Sequence, residues 1–308
     1  MVKIFLFLFI STSIFADLNE TINMVEEVSQ NFRKKTTKNY HHLLYKIDSY
    51  FNKTNDINRS CYREIRNNKL QIILSVKEGP RLNAHFRGKI VLPQLKNKAE
   101  LTFSQNDNQE MDNQNLVNEN DDVVNDEKLR VGLKYYLYRE KKSTAYAKIS
   151  LKVSSPFGPY LKLGMDKSYL SDDFLETTFN HAAYYYLNGN DVSASTAVSF
   201  FKPLSNTYWI GQGNKLYLEG KKIYLSNNIL FYHIFDLSNR MVYKTSFTTS
   251  YNSRDKFAHD GFSFSTGYFH RFDKWFFIEA IPAFRKQRDN GYKDEILFTL
   301  NFGMMLGR

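Results

Sequence analysis

Five basic residues, Arg130, Lys134, Lys148, Lys152 and Lys162, fall on three consecutive stretches of apolar–polar alternation, each on the polar phase. Side chains of one phase of an extended strand share a face, so adjacent strands would set these cations side by side. Fixed cations along a water-filled bore with low-dielectric walls concentrate anions. Arg87 and Lys89 sit on the polar phase of an earlier stretch, and Arg285, with Glu279, on a late one. Together these eight basic residues form a candidate anion-attracting pore lining. The competing reading is a closed barrel in which they are solvated lumen residues, some paired with carboxylates such as Asp166 and Glu279.

Hydrolytic chemistry has one local candidate, His259-Asp260-Gly261-Phe262-Ser263. A nucleophilic serine needs a base within hydrogen-bonding reach and a third group to orient that base. Adjacent strand residues point to opposite faces, so His259 and Asp260 are poorly placed to orient each other. His41 and His42 lie on an N-terminal helix, and His85, His233 and His270 on different strands. No spacing suited to a metal, such as His-x-x-x-His or paired cysteines, is present. The sequence therefore predicts no enzyme, no catalytic residues and no cofactor, with a hydrolase at the rim as the third alternative.

The elements that must hold these residues are read from a two-residue rhythm. Leu82, Ala84, Phe86, Gly88, Ile90 and Leu92 alternate with Arg81, Asn83, His85, Arg87 and Lys89. Leu129, Val131, Leu133, Tyr135 and Leu137 alternate with Arg130, Gly132, Lys134, Tyr136 and Tyr138. Such ribbons, oily on one side and wet on the other, recur at about 69–77, 81–92, 98–105, 129–139, 144–154, 159–168, 174–187, 191–202, 206–218, 223–235, 240–251, 260–271, 274–285 and 293–306. Many strands of roughly ten residues are the signature of a transmembrane β-barrel. Fourteen is even, as single-chain barrels require, and the longest connections, 106–128, 252–259 and 286–292, all fall at one end. The stretch 206–218, with Gly211, Gly213 and Asn214, is the poorest strand; losing it with a neighbour would give 12. Pro282 cannot donate a ladder hydrogen bond, and a bulge is expected there. The face taken by His181 is left open.

The rest of the chain sets the address. Lys3, the apolar run Ile4–Phe15 and Ala16 form a signal peptide over residues 1–16, too short to span a membrane as a helix. Residues 17–68 change to helical spacing, with Tyr40, Leu43, Leu44, Ile47, Tyr50 and Phe51 on one amphipathic face. They read as a periplasmic helical region that caps the barrel, plugs it or binds a periplasmic partner. The single cysteine, Cys61, excludes an internal disulfide. A net charge of +10 could suit a nucleic-acid binder, but the basic residues are spread along strand faces behind a signal sequence, which argues against nucleic acid. Residues 106–127 hold eight acidic and no basic residues and read as a disordered outer loop.

With its signal sequence, helical prelude and final strand of Ile296, Phe298, Leu300 and Phe302 alternating with Leu297, Thr299, Asn301 and Gly303, the chain resembles Gram-negative outer-membrane β-barrels. Its end, from Trp275-Phe276-Phe277-Ile278 onward, is similar to that of uncharacterised proteobacterial barrel proteins. The resemblance implies contact with outer-membrane lipids and with the barrel insertion machinery. The class commonly ends on an aromatic residue, whereas these residues are Met304-Met305-Leu306-Gly307-Arg308. The expectation is therefore an all-β barrel over 69–308, in the outer membrane, monomeric or trimeric, passing small anionic solutes. The first alternative is a non-conducting scaffold barrel that binds a periplasmic partner through its N-terminal helices.

Overall fold

The computed structural model describes residues 69–77, 81–92, 98–104, 129–153, 158–171, 174–189, 191–252, 256–273 and 275–306. The expected signal peptide, the helical region 17–68 and the acidic loop 106–127 lie outside the described residues. Within them the chain forms strands β1 (Lys69–Lys77), β2 (Arg81–Leu92), β3 (Ala99–Ser104), β4 (Arg130–Glu140), β5 (Ser143–Lys152), β6 (Gly158–Leu170) and β7 (Glu176–Tyr186). These are followed by β8 (Asp191–Pro203), β9 (Tyr208–Glu219), β10 (Lys222–Ile234), β11 (Asn239–Asn252), β12 (Lys256–Asp273), β13 (Phe276–Gln287) and β14 (Glu295–Leu306). Each strand pairs antiparallel with the next, and β1 closes on β14, as in Leu70 opposite Leu306. Closure leaves no unpaired edge, so every central backbone amide and carbonyl has a ladder to join.

The distribution of side chains is inverted relative to a water-soluble protein. On β4, Lys134 and Tyr136 are buried at 3% exposure each, while the alternating Leu133 and Leu137 are 43% and 64% exposed. On β6, Tyr160 and Lys162 are buried, and Leu161 and Leu163 face outward. Outward-facing aromatics collect near both ends. Tyr138, Tyr169, Phe174, Tyr208, Phe235 and Tyr268 mark the end where β1 begins, here the proximal end. Tyr185, Tyr251, Phe257 and Tyr292 mark the distal end. An apolar band between two aromatic girdles matches a bilayer and its interfaces. Glycines admit inward aromatic rings where room is needed. A Cβ on Gly164 would overlap the Tyr146 ring, and one on Gly303 the Phe277 ring.

Several expectations are corrected. β9 is a full strand, so the barrel has 14 strands and the 12-strand alternative falls. No bulge forms at Pro282: the β12–β13 ladder lapses opposite Thr266 and Gly267 and resumes in the same register. A missing N–H removes a rung without inserting a residue. The register does shift elsewhere, between Thr248 and Thr249 opposite β12, and between Tyr136 and Tyr138 opposite β5. The first shift lets β12 begin at Lys256, so most of the expected loop 252–259 is strand. His181 faces outward, opposite the exposed Met165, and its Nδ1 lies 3.1 Å from Thr196 Oγ1.

The inner basic wall and the distal rim

Register turns the inward cations into a row. Lys134 lies directly opposite Lys148, and Lys148 directly opposite Lys162. Adjacent strands are roughly 4.8 Å apart, so three ammonium stems stand side by side, an arrangement that like-charge repulsion opposes. The row continues from Lys134 to Glu100 on one side and through Tyr184 and Ser193 to Glu219 on the other. Glu100 lies at the proximal start of β3 and Glu219 at the distal end of β9. The row thus climbs the lumen, as tilted, sheared strands require.

Tyrosines interleave with the cations. The Lys134 ammonium lies 3.7 Å from the Tyr146 ring centroid and 5.0 Å from that of Tyr136. Lys162 lies 5.2 Å from the Tyr184 centroid, and the Arg130 guanidinium 6.0 Å from that of Tyr160. The ring faces are electron-rich and offset part of the repulsion within the row. Glu100, at 1% exposure, accepts a hydrogen bond from Tyr136 Oη at 2.9 Å and an ion pair from Arg139 at 3.3 Å. Neither Glu100 nor the tyrosines were among the expected site residues. For Glu100, Tyr136, Tyr146 and Tyr160 the signal was present, since they lie on the polar phase, whereas the stretch around Tyr184 has no clean polar phase; the pairing of all of them depends on register.

The expected residues divide into groups. Lys134, Lys148, Lys162 and Lys89 are inward and buried, while Arg130 and Lys152 face each other across β4 and β5 and are half-buried. Arg87 donates to Gln71 on β1. Arg285 stands apart from the row, held by Glu295 at 2.7 Å. The two carboxylates expected to pair with lumen cations have amide partners: Asp166 accepts from Asn180 at 2.9 Å, and Glu279 from Asn301 at 3.0 Å. Farther round the inner wall the chemistry changes to an apolar nest. Leu230 and Tyr232 are buried there against Phe201, Trp209 and Val242.

At the distal rim a cavity of roughly 370 Å³ is lined by Lys222, Tyr224, Ser250, Asp260, Arg285 and Arg288, among others. The register shift on β11–β12 leaves Asp260 without a partner and turns it inward, where it accepts from Ser250 Oγ at 2.9 Å. Arg288 lies 3.9 Å from the same carboxylate oxygen. His259 remains on the outer side, its ring stacked on Tyr292, and Ser263 pairs with Arg285 on the inner wall. The barrel therefore sets His259 of the hydrolase alternative on the outer side, away from Asp260 and Ser263, which both line the cavity. Among the described residues no group of three or more His, Cys, Asp or Glu is placed to hold a metal.

A closed, even-stranded antiparallel barrel with an apolar outer wall and a polar inner wall is a transmembrane β-barrel. No family model matches the chain, and no curated protein matches its sequence. Among solved structures it is similar to the KdgM porin in complex with disordered oligogalacturonate, at 5% identity and a TM-score of 0.36, covering 77% of this chain and 98% of that one. It is similar to in-vitro folded OmpT, an outer membrane protein of Vibrio cholerae, at 8% identity and a TM-score of 0.45, covering 78% and 95%. The outer membrane channel DcaP of Acinetobacter baumannii gives 6% identity and a TM-score of 0.43, with the same coverage. At these values the likenesses carry no conclusion about this chain.

Proposed function

We propose that this chain is a channel in the outer membrane of a Gram-negative bacterium, passing small anionic solutes, with residues 17–68 on the periplasmic side. The observation that carries the reading is the row Lys134–Lys148–Lys162, three cations in direct register on the inner wall. With Arg130 and Lys152 beside it, this wall attracts anions and repels cations wherever water reaches it. Lys89 and Arg87 extend the basic surface onto β2. The paired Arg285 contributes to the distal vestibule rather than to the row.

A second reading is a scaffold barrel that does not conduct, and burial favours it. The three central lysines are only 3–5% exposed, and the apolar nest around Leu230 is close-packed on the inner wall. Recording from the purified protein in planar bilayers separates the two. Steady conductance carried mainly by anions supports the channel. Electrical silence across a range of voltages supports the scaffold. Steady cation-selective current would remove the basic row from the pathway.

A further inference from the structure

The outer wall carries a polar patch where a bilayer-facing surface should be apolar. At mid-height on five consecutive strands the outward side chains include His181 on β7, Thr196 on β8, Gln212 and Asn214 on β9, Asn227 on β10 and Thr245 on β11. Their outward phase follows from the registers. Asn214 lies opposite Asn227, between the inward-facing pairs Gly213–Asn228, both buried, and Lys215–Ser226, in which Ser226 is buried and Lys215 half-buried. Gln212 is opposite the exposed Ile229, and Ile229 is opposite Thr245. On β4 to β6 the matching positions are Leu133, Tyr135, Ile149, Leu161 and Leu163, all exposed and all but one aliphatic. The patch is therefore confined to one side of the barrel.

Hydrocarbon cannot satisfy such groups. Each carboxamide has two N–H donors and two acceptor lone pairs, and an apolar medium leaves them without partners at a large energetic cost. His181 and Thr196 satisfy part of each other's capacity. For Asn214, Asn227 and Gln212 the natural complement is another carboxamide, because an amide both donates and accepts. One self-complementary patch on one side of a closed barrel is what a two-fold, isologous contact uses, in which both copies present the same surface.

We propose that the outer wall of β7–β11 is a two-fold interface between two copies of this chain, with Asn214, Asn227 and Gln212 at its centre. This goes beyond the channel reading and holds whether or not the barrel conducts. In lipid nanodiscs the wild-type protein is expected to have the mass of a dimer by native mass spectrometry. The double variant Asn214→Leu/Asn227→Leu, which makes the wall more lipid-like and leaves the inner face intact, is expected to raise the monomer fraction at least tenfold. Leu74→Asn on β1, an outward position across the ring from β9, is expected to leave the dimer unchanged. Spin labels at position 225, the outward neighbour of Asn227 on β10, should report one short inter-copy distance by pulsed electron resonance, since that position lies near the two-fold axis. A wild-type monomer, a trimer, or a dimer that persists in the double variant with only long label distances would overturn the proposal. Conductance measured on the same samples tests the channel reading separately.

Discussion

The ammonium group of Lys134 rests on the face of Tyr146, 3.7 Å from the ring centroid, and the same ring covers the backbone of Gly164 on the next strand. One tyrosine therefore joins β4, β5 and β6 on the inner wall at the level of the basic row. Removing the ring while keeping apolar bulk, as in Tyr146→Leu, should lose a cation–π contact of about 0.5–2 kcal/mol. Urea unfolding, followed by the heat-modifiable gel mobility of the folded barrel, should show the midpoint fall. An unchanged midpoint would mean that the ring contributes nothing to holding the lysine.

Gly164 depends on the same relationship from the other side. A methyl group added by Gly164→Ala overlaps the Tyr146 ring, so the ring or the strand must move. Overpacking of this kind costs about 1–3 kcal/mol. The double variant Gly164→Ala/Tyr146→Leu should recover part of that loss, and full additivity of the two changes would show that the positions are not coupled.

The basic row should control ion selectivity if the barrel conducts. Reversing Lys134, Lys148 and Lys152 to Glu replaces cations that face the lumen on β4 and β5 with anions. Under a salt gradient the reversal potential should change sign toward cation preference. A potential that does not move would place the permeation path away from this wall.

Glu100 closes the proximal end of the row, buried beside Lys134 and held by Tyr136 and Arg139. Glu100→Gln keeps the shape and removes the charge, so anion preference should rise while stability falls by about 1 kcal/mol, the scale of one hydrogen bond. Raised anion preference with a lowered unfolding midpoint is the expected pair of results. Lower anion preference would show that Glu100 does not oppose the lysines.

The proximal turn between β10 and β11 offers a pH-dependent check. The Asn239 side chain donates to the Asp236 carboxylate at 2.8 Å, and the backbone amide of Ser238 donates at 2.6 Å, which together hold its pKa below the usual aspartate range. A lowered folded pKa contributes stability that is present above the ordinary aspartate pKa and is lost as pH falls through the lowered value. Carbon-detected titration of Asp236 should therefore give a midpoint below that of a model aspartate. Asn239→Ala should move the midpoint upward.

Much of this architecture is legible in the residues themselves. Leu133, Lys134, Tyr135 and Tyr136 alternate because successive strand side chains point to opposite faces, and that local rule separates the two walls without any knowledge of the fold. The same rule gives β1 and β2 their exact limits and places Lys134, Lys148 and Lys162 on one surface. It failed where the backbone departs from it. Asp260 turns inward because it is an extra residue at a register shift, and that shift depends on β11, which is eight or more residues away along the chain. Pro282 misled in the opposite direction, since a missing donor was absorbed by a two-residue lapse in the ladder without a shift of register.

Period two, set by the geometry of a single extended chain, is what the sequence by itself determined: the strands' two faces and the polar character of the inner one, whereas the choice of 14 strands over 12 waited for the ladders of β9. Which residue stands opposite which was decided only by closure, because one register must suit every ladder round the ring. Closure set Lys134 against Lys148, Glu100 beside Lys134, the Tyr146 ring over Gly164, and Asn214 against Asn227 on the outer wall. These pairings join separate strands, and no local pattern along the chain contains them.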